Sequence, residues 1–332
     1  MEGDVGVKTQ PVYSVVIPAY NEQEVITETY NRITNVMTGM GENYELIFIN
    51  DGSADQTAVI IAGFCEKDPS VRLINFTRNF GHMSAITAGM ENSRGKAVFI
   101  IDADLQDPPE VFPEMALKWR EGYHVVYGKR IKRKGESAFK RWSAKIFYRF
   151  LRRMTSVDLP PDTGEFRLID RKVCDAVNKL PEKSRYIRGL VSWVGFKQIP
   201  VEYVREQRYA GVTKYPLRKM IAFAMDAITS FSYKPLKLAT MLGLIISLLS
   251  FIYIIYIIYQ RFFTDQTITG WASTMAAILF TQGIVLMILG LMGEYIGRIY
   301  TELQNRPNYI IQEIIGQPDD ENEKINAASD LP

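Results

Sequence analysis

The chain has 332 residues, of which 47% are hydrophobic and 23% charged, and its formal net charge is +2. This composition excludes an intrinsically disordered chain and a membrane protein that is apolar throughout, and the length predicts about two domains. Cys65 and Cys174 are too few for a disulfide framework and too far apart for a zinc motif, so we expect buried thiols. Residues 1–11 lack the apolar core of a signal peptide and are predicted to be flexible.

Strands and helices alternate in the N-terminal third of the chain. The predicted strands are 13–17, 45–49, 71–75 and 97–101, and the predicted helices are 24–37, 54–67 and 84–92. Most of these strands lack polar and apolar alternation, which favours a parallel sheet covered on both faces. Parallel sheets bind ligands beyond the carboxyl ends of their strands. Asp51 and Asp102 each follow a strand, so we expect them to meet in one cleft.

The C-terminal third contains two long stretches without a charged residue, 238–259 and 271–293. At a rise of about 1.5 Å per residue, each is long enough to cross a hydrocarbon core of about 30 Å, which predicts a transmembrane hairpin within 236–296. Basic residues lie mostly outside the short connection, so the positive-inside rule places the N-terminal domain and the tail, 297–332, on the cytoplasmic side of the plasma (inner) membrane. Residues 216–235 mix apolar and charged side chains, as in an amphipathic helix at the membrane interface.

Asp102, Ala103 and Asp104 form an Asp-x-Asp pattern at the end of a predicted strand. Two carboxylates at this spacing can share a hard cation such as Mg²⁺ or Mn²⁺ with a diphosphate. Gln106 could add a carbonyl oxygen. The alternative is a solvated strand end with turn-forming aspartates, and the second acidic turn at Asp51 favours the metal site.

The stretch from Lys129 to Arg153 contains 11 basic residues and one acidic residue, Glu136. Such a run can be a solvated face, a nucleic-acid patch or a site for lipid phosphate. Aromatic residues among these charges, such as Trp142 and Tyr148, favour contact with a membrane surface and argue against a nucleic-acid partner.

Several motifs resemble glycosyltransferase family 2. They are VVIPAYNE at 15–22, INDGSADQT at 49–57, RNFGHMSAITAG at 78–89 and DADLQDPPE at 102–110. Four further motifs are similar to its polyprenyl-phosphate branch, which includes dolichyl-phosphate mannose synthases and bactoprenol glucosyltransferases of the GtrB type. They are YGKR at 127–130, DTGEFRLID at 162–170, RYAGVTKYP at 208–216 and GEYIGRIYTELQNRPNY at 293–309. The resemblance implies a GT-A fold over 12–215, Rossmann-like with a mostly parallel sheet, followed by the transmembrane hairpin.

The resemblance also implies roles for individual residues. Those implied to bind the nucleotide sugar are Pro18, Tyr20, Glu22, Asp51, Asp102 and Ala103. Those implied to hold the metal are Asp102, Asp104 and Gln106, and those implied for donor or acceptor phosphate are Arg130, Arg141, Ser143, Arg208 and Lys214. The implied catalytic residues are Asp104, Asp162 and Arg208. Asn50 stands where many members have an aspartate, and Phe139 stands where relatives carry an arginine.

The reaction implied by the resemblance is inverting transfer of a hexose from a nucleotide sugar to polyprenyl phosphate, with UDP-glucose and undecaprenyl phosphate as the expected pair. Mannose from GDP-mannose, N-acetylhexosamine and aminoarabinose remain alternative sugars. A non-catalytic membrane scaffold is the alternative of another class. Small residues in the hairpin, Gly283, Gly290 and Gly293, leave a homo-oligomer open.

Overall fold

A computed structural model describes residues 10–131, 163–183, 185–205, 234–263 and 270–316. The chain divides into two compact units. The first contains residues 1–142, 159–214 and 307–332, and the second contains residues 143–158 and 215–306. Most of the predicted interface helix, 216–235, lies outside the described residues.

The first unit is built on an eight-stranded sheet. Its strands are β1 (Tyr13–Ala19), β2 (Tyr44–Asn50), β3 (Val71–Phe76), β4 (Ala97–Ile100), β5 (Val125–Arg130), β6 (Thr163–Asp170), β7 (Gln198–Tyr203) and β8 (Ile311–Ile315). Their order in the sheet is β7-β5-β6-β4-β1-β2-β3-β8. β6 runs antiparallel to β4 and β5, and β8 runs antiparallel to β3, whereas the other neighbouring pairs are parallel. The predicted Rossmann-like, mostly parallel sheet is confirmed.

Six helices accompany this sheet among the described residues. They are α1 (Ile26–Met40), α2 (Thr57–Lys67), α3 (His82–Glu91), α4 (Phe112–Arg120), α5 (Arg171–Asn178) and α6 (Ile187–Trp193), and a 3-10 turn, Pro109–Val111, precedes α4. The four predicted strands and three predicted helices are all present, with ends that differ by up to three residues. The sequence analysis made no prediction for β5, β6 and β7, which lie within the expected domain of 12–215.

The sheet is apolar on both faces, as its strand composition predicts. Every residue of β1, β3 and β4 is buried. Phe99 stacks on Phe112 of α4, with ring centroids 4.0 Å apart, and Phe112 stacks on Phe166 of β6 at 5.9 Å. The cysteines are free thiols, Cys174 buried and Cys65 half-buried, and burial raises the pKa of each to about 11.

The second unit contains two long helices, α7 (Lys234–Phe263) and α8 (Trp271–Leu303), which contact each other. They confirm the predicted helical hairpin, although both extend beyond the predicted spans and α8 reaches into the predicted tail. Within the described part of the chain, Phe280–Leu303 is apolar and long enough to cross a membrane, and α7 contains a shorter apolar stretch, Ala239–Tyr253. Large apolar side chains are exposed along both helices, as expected for surfaces that contact lipid.

The predicted tail, 297–332, contains a strand of the first unit. β8 pairs with β3, and Tyr309 stacks on Phe76 with ring centroids 5.0 Å apart. The Tyr309 hydroxyl is also hydrogen-bonded to Glu91. Pairing satisfies backbone groups that the edge of β3 would otherwise expose. The chain therefore completes the sheet of its first unit with residues that follow the helical hairpin.

Candidate active site

The carboxyl ends of six strands meet at one edge of the sheet. β1 to β5 and β7 point in the same direction, because β6 and β8 alone are antiparallel to their neighbours. β6 therefore begins at this edge, and its first residue, Thr163, pairs with Lys129 near the end of β5. The loops that follow β1, β2 and β4 carry most of the described residues implied to bind substrate, and Arg130 is the last residue of β5.

The loops after β1 and β2 are joined by hydrogen bonds. The Asn21 amide donates to Ser53 Oγ at 3.0 Å, and the Ala54 amide donates to Asn21 Oδ1 at 2.8 Å. The Glu22 amide donates to Thr57 Oγ1 at 2.9 Å. Asn21 has a φ of 55°, a left-handed conformation that asparagine tolerates better than most residues. The two loops thus form one connected wall of the cleft.

The three nucleotide-binding candidates at the end of β1 differ in accessibility. Pro18 is buried within β1, where it pairs with Ile49. Tyr20 is 48% exposed, and Glu22 is half-buried. An exposed aromatic ring beside a polar loop is suited to stacking on a nucleobase. The side chain of Pro18 is therefore covered by the core of the unit, and Tyr20 is the residue whose side chain is accessible to a ligand.

Asp51 is buried directly after β2 and holds the loop between β3 and α3. Its carboxylate accepts hydrogen bonds from the Phe80 amide at 2.7 Å and from the Gly81 amide at 3.0 Å. Burial raises the pKa of Asp51, and the two backbone N–H groups oppose that shift. The residue expected to bind a base or ribose therefore already has backbone partners, and any bond to a nucleotide adds to these.

His82 lies between the two acidic turns. It is the first residue of α3, and its Nε2 is 3.3 Å from Asp102 Oδ1. His82 also interacts electrostatically with Asp51. The structure thus brings Asp51 and Asp102 together around one histidine, as the strand order predicts.

The loop after β4 carries the Asp-x-Asp pattern. Burial raises the pKa of Asp102 to about 6, His82 opposes the shift, and the neighbouring carboxylates of Asp104 and Asp107 reinforce it. Asp104 is buried, and its Oδ1 accepts from the Gln106 amide at 3.1 Å. The two carboxylates therefore lie close enough to repel each other and would gain from a shared cation.

The backbone of this loop is fixed on both sides of the aspartates. Ala103 is buried, and its carbonyl oxygen accepts from Thr29 Oγ1 at 2.7 Å. Leu105, between Asp104 and Gln106, has a φ of 56°, which is uncommon for a residue other than glycine. Strained residues of this kind concentrate at ligand sites.

The donor atoms of this loop suit Mg²⁺ or Mn²⁺. Asp102 Oδ1 is inaccessible to solvent and makes no hydrogen bond within the described residues. No group of three or more His, Cys, Asp or Glu side chains among those residues is arranged to hold a metal ion. Mg²⁺ is commonly held by one or two carboxylates together with substrate phosphates. Asp102 and Asp104 match that pattern, with Gln106 beside them.

Arg130, implied to bind phosphate, is held at the end of β5 by a buried pair that the sequence analysis did not identify. Its Nε donates to Tyr203 Oη at 3.2 Å, and its Nη2 lies 3.6 Å from Asp107 Oδ2. Tyr203 Oη donates to Asp107 Oδ1 at 2.5 Å, and Arg205 Nε is 3.6 Å from the same oxygen. Burial acts to lower the pKa of Arg130, but the interactions with Asp107 and Tyr203 raise this pKa by more, so the pKa of Arg130 is raised overall.

A second buried charge cluster lies at the start of β6. Glu165 is 2.6 Å from Arg188 Nε and 3.4 Å from Arg167 Nη2, and its charge also raises the pKa of Asp102. Arg167 donates to the carbonyl oxygen of Gly164 at 2.9 Å. This cluster contains one acidic and two basic groups.

Five site residues implied by the motifs lie outside the described residues: Arg141, Ser143, Asp162, Arg208 and Lys214. Their roles remain predictions. Asp107 and Glu165 were missed although both stand in quoted motifs. Asp107 follows the Asp-x-Asp pattern closely enough to be suspected from sequence, whereas the contacts of Glu165 with two arginines depend on the tertiary fold.

The sequence matches "Glycosyl transferase family 2" over residues 14–177 and "GtrB C-terminal hairpin" over residues 234–299. The first match runs from β1 through β6 into α5, and the second covers α7 and most of α8. Most of the first match lies in the first structural unit, and the second match lies in the second unit.

Curated relatives are similar along nearly the whole chain. The uncharacterized glycosyltransferase YkcC of Bacillus subtilis is 57% identical over 92% of this chain and 94% of its own length. The SfII prophage-derived bactoprenol glucosyl transferase of Shigella flexneri is 40% identical over 90% and 97% of the two chains. A solved structure of glucosyl-3-phosphoglycerate synthase from Mycobacterium tuberculosis with Mn²⁺, UDP and glucosyl-3-phosphoglycerate covers 66% of this chain and 78% of its own, at 20% identity and a TM-score of 0.46. The chain belongs to glycosyl transferase family 2, among the members that carry the GtrB C-terminal hairpin.

Proposed function

We propose that the protein transfers a hexose, glucose from UDP-glucose, to undecaprenyl phosphate with inversion at the anomeric carbon. The observation that carries the proposal is the convergence of Asp51, His82 and Asp102 at the carboxyl ends of parallel strands, in a chain 40% identical to a bactoprenol glucosyl transferase over 90% of its length. The relative's name supports the acceptor and the sugar, and the cleft supports a nucleotide-sugar donor.

The donor nucleotide would lie against the loops after β1 and β2. Tyr20 offers an exposed ring for the base, and Asp51 offers a buried carboxylate beside Phe80 and Gly81. The diphosphate would then reach Asp102 and Asp104. Binding at this edge follows the general rule for parallel sheets.

A divalent cation would share the donor diphosphate with Asp102, Asp104 and Gln106. When bound, Mg²⁺ or Mn²⁺ neutralises charge on the departing diphosphate. The closeness of the two carboxylates, which repel each other, supports this site. Arg130, held by Asp107 and Tyr203, supplies a fixed positive charge for donor or acceptor phosphate.

The acceptor is itself a nucleophile at neutral pH, because a phosphate monoester has a second pKa of about 6. One of its oxygens attacks the anomeric carbon, and the bond from that carbon to the donor diphosphate breaks with its electron pair on the leaving oxygen. Positioning and charge neutralisation then supply most of the rate. Asp162 is proposed to orient the acceptor, and Arg208, Lys214, Arg141 and Ser143 to bind phosphate.

The acceptor's lipid chain requires a site at the membrane. The apolar surfaces of α7 and α8 and the match to the GtrB C-terminal hairpin support membrane association. We propose that both helices span the membrane and that the sheet-containing unit lies on its cytoplasmic face, in accord with the distribution of basic residues.

The test uses membranes that contain the full chain, radiolabelled UDP-glucose, Mg²⁺ and undecaprenyl phosphate. We expect label to enter the lipid phase, and EDTA to stop its transfer. A panel with GDP-mannose, UDP-N-acetylhexosamines and a nucleotide-linked aminoarabinose distinguishes the alternative sugars. No transfer from any donor to lipid would refute the proposed activity.

A further inference from the structure

A chain of hydrogen bonds connects β8, which follows the helical hairpin, to the loops after β2 and β1. Glu313 Oε1 accepts from Asn75 Nδ2 at 2.8 Å, and Asn75 Oδ1 accepts from Asn50 Nδ2 at 3.0 Å. Asn50 Oδ1 accepts from the Ser53 amide at 3.1 Å, and Ser53 Oγ accepts from the Asn21 amide at 3.0 Å. We call these five residues the polar relay.

The direction of each bond in the polar relay is determined by its neighbours. Glu313 can only accept when it is ionised, so Asn75 presents its amide nitrogen to Glu313 and its oxygen to Asn50. Asn50 must then donate to Asn75 and accept from Ser53. Both asparagines are buried, with 5% and 7% exposure, whereas Glu313 is exposed. The buried amides therefore depend on their partners within the polar relay.

The polar relay also accounts for an asparagine at position 50. An aspartate there would place a carboxylate against Asn75 Oδ1 and could not donate to it. The adjacent Asp51 keeps its own contacts to Phe80 and Gly81. Asn50 thus connects β2 to β3 and β8, and Asp51 holds the loop before α3.

We propose that Glu313 is a positioning residue for the nucleotide site, acting through Asn75 and Asn50 on the loop that carries Ser53. This inference rests on the proposed binding of a nucleotide-sugar donor at the loops after β1 and β2. Ser53 in turn fixes Asn21, which adjoins the exposed ring of Tyr20. A residue beyond the hairpin thereby contributes to donor affinity without contacting the donor.

The docking of β8 does not depend on Glu313 alone. The backbone ladder with β3, the stacking of Tyr309 on Phe76 and the bond from the Thr77 amide to the Ile310 carbonyl at 3.1 Å all remain when Glu313 is truncated. Removing its carboxylate should therefore loosen the polar relay while the strand stays paired. This separation makes the proposal testable with single substitutions.

The experiment measures UDP binding to the full chain in detergent micelles by isothermal titration calorimetry, together with steady-state transfer kinetics. We expect Glu313→Ala to weaken UDP binding and raise the KM for UDP-glucose about tenfold, as for the loss of one supporting hydrogen bond. kcat at saturating donor and the KM for undecaprenyl phosphate should change less than about twofold. Glu313→Gln retains an accepting oxygen and should bind UDP like the wild type.

Gln312→Ala is the matched control, since Gln312 is the neighbour of Glu313 in the same strand and both residues are exposed. It should leave UDP affinity unchanged. Asn75→Ala should weaken UDP binding as Glu313→Ala does, and the double variant should be no weaker than the worse single variant, because both interrupt one relay.

Three results would overturn the inference. The first is unchanged UDP affinity in Glu313→Ala, and the second is an equal loss in Glu313→Gln. The third is an additive loss in the double variant. If the wild-type chain binds neither UDP nor UDP-glucose, the proposed donor site is wrong. If the wild type binds UDP and Glu313→Ala binds it equally well, the role proposed for Glu313 is wrong and the donor site stands.

Discussion

The substitution Tyr203→Phe tests whether Arg130 depends on the buried pair behind it. The change removes one hydroxyl, which accepts from Arg130 Nε at 3.2 Å and donates to Asp107 Oδ1 at 2.5 Å. The ring itself is retained, together with its edge-to-face contact with Phe166 at 5.3 Å. Any effect therefore reports the hydroxyl and not the packing of the ring.

The magnitude follows from the two partners, both of which are charged. A hydrogen bond to a charged group contributes about 1.5–3 kcal/mol. Asp107 is 1% exposed, and the ion pairs that it keeps among the described residues are with Arg130 and Arg205, each at 3.6 Å. We expect the free energy of unfolding to fall by about 2–4 kcal/mol. Turnover should fall by about 10- to 100-fold, since a misplaced charge costs that much at a reacting centre.

The assay is transfer of radiolabelled glucose to lipid, with thermal unfolding measured on the same preparations. Tyr44→Phe is the matched control, because the Tyr44 hydroxyl is hydrogen-bonded to Thr38 at 3.4 Å and lies at the opposite end of β2 from Asp51. It should change neither quantity appreciably. Tyr203→Phe introduced into an Arg130→Ala chain should lower stability again but add little to the loss of turnover.

Two results would contradict this reasoning. If Tyr203→Phe unfolds at a lower temperature but turns over like the wild type, the hydroxyl only stabilises the fold. If it lowers turnover by the same factor with and without Arg130, the hydroxyl acts on the reaction by another route.

Three further outcomes are expected. Gly52→Ala should lower the free energy of unfolding in urea by about 2 kcal/mol or more, because Gly52 has a φ of 66° and an added Cβ would meet the backbone of the loop after β3. Gly63→Ala, its control in α2 with open space around it, should be neutral or stabilising. Asp104→Asn should reduce Mg²⁺-dependent transfer at least 100-fold without a large change in unfolding temperature. Tyr309→Ala loses the stacking on Phe76 and should make the chain around β8 sensitive to limited proteolysis.

The alternating strands and helices were predictable because each of them carries its signal locally. β4 was predicted at 97–101 and observed at Ala97–Ile100, and α2 was predicted at 54–67 and observed at Thr57–Lys67. Short buried apolar runs bounded by polar turns are sufficient for such predictions. The long charge-free helices were predictable for the same reason, although their ends were not.

The strands that were not predicted depend on distant partners. β8 is five residues long, and its partner β3 lies more than 230 residues earlier in the chain. No local pattern indicates that a segment after the helical hairpin returns to the sheet. β6 inserts between β4 and β5, so the sheet is mixed and not wholly parallel. That placement brings Glu165 towards Asp102, and strand composition alone does not reveal it.

The site shows the same division between local and distant information. Asp102 and Asp104 were located from a strand end and a motif, whereas the bonds between Asp107 and Tyr203 and between Glu313 and Asn75 join residues far apart in sequence. The motif indicated which groups are proposed to meet substrate. The groups that hold them became visible only in the folded chain.

Leu105 shows how the loop after β4 tolerates strain. A left-handed conformation costs a residue other than glycine about 1–2 kcal/mol, yet it places the Gln106 amide 3.1 Å from Asp104 Oδ1. The Leu105 side chain is 2% exposed, and burial of a leucine contributes about 1.5–3 kcal/mol. Burial therefore offsets the strain and anchors the loop, whereas glycine at this position would remove the strain and the anchor together. The left-handed turn thus fixes Asp104 before any ligand binds, as a site that works by positioning requires.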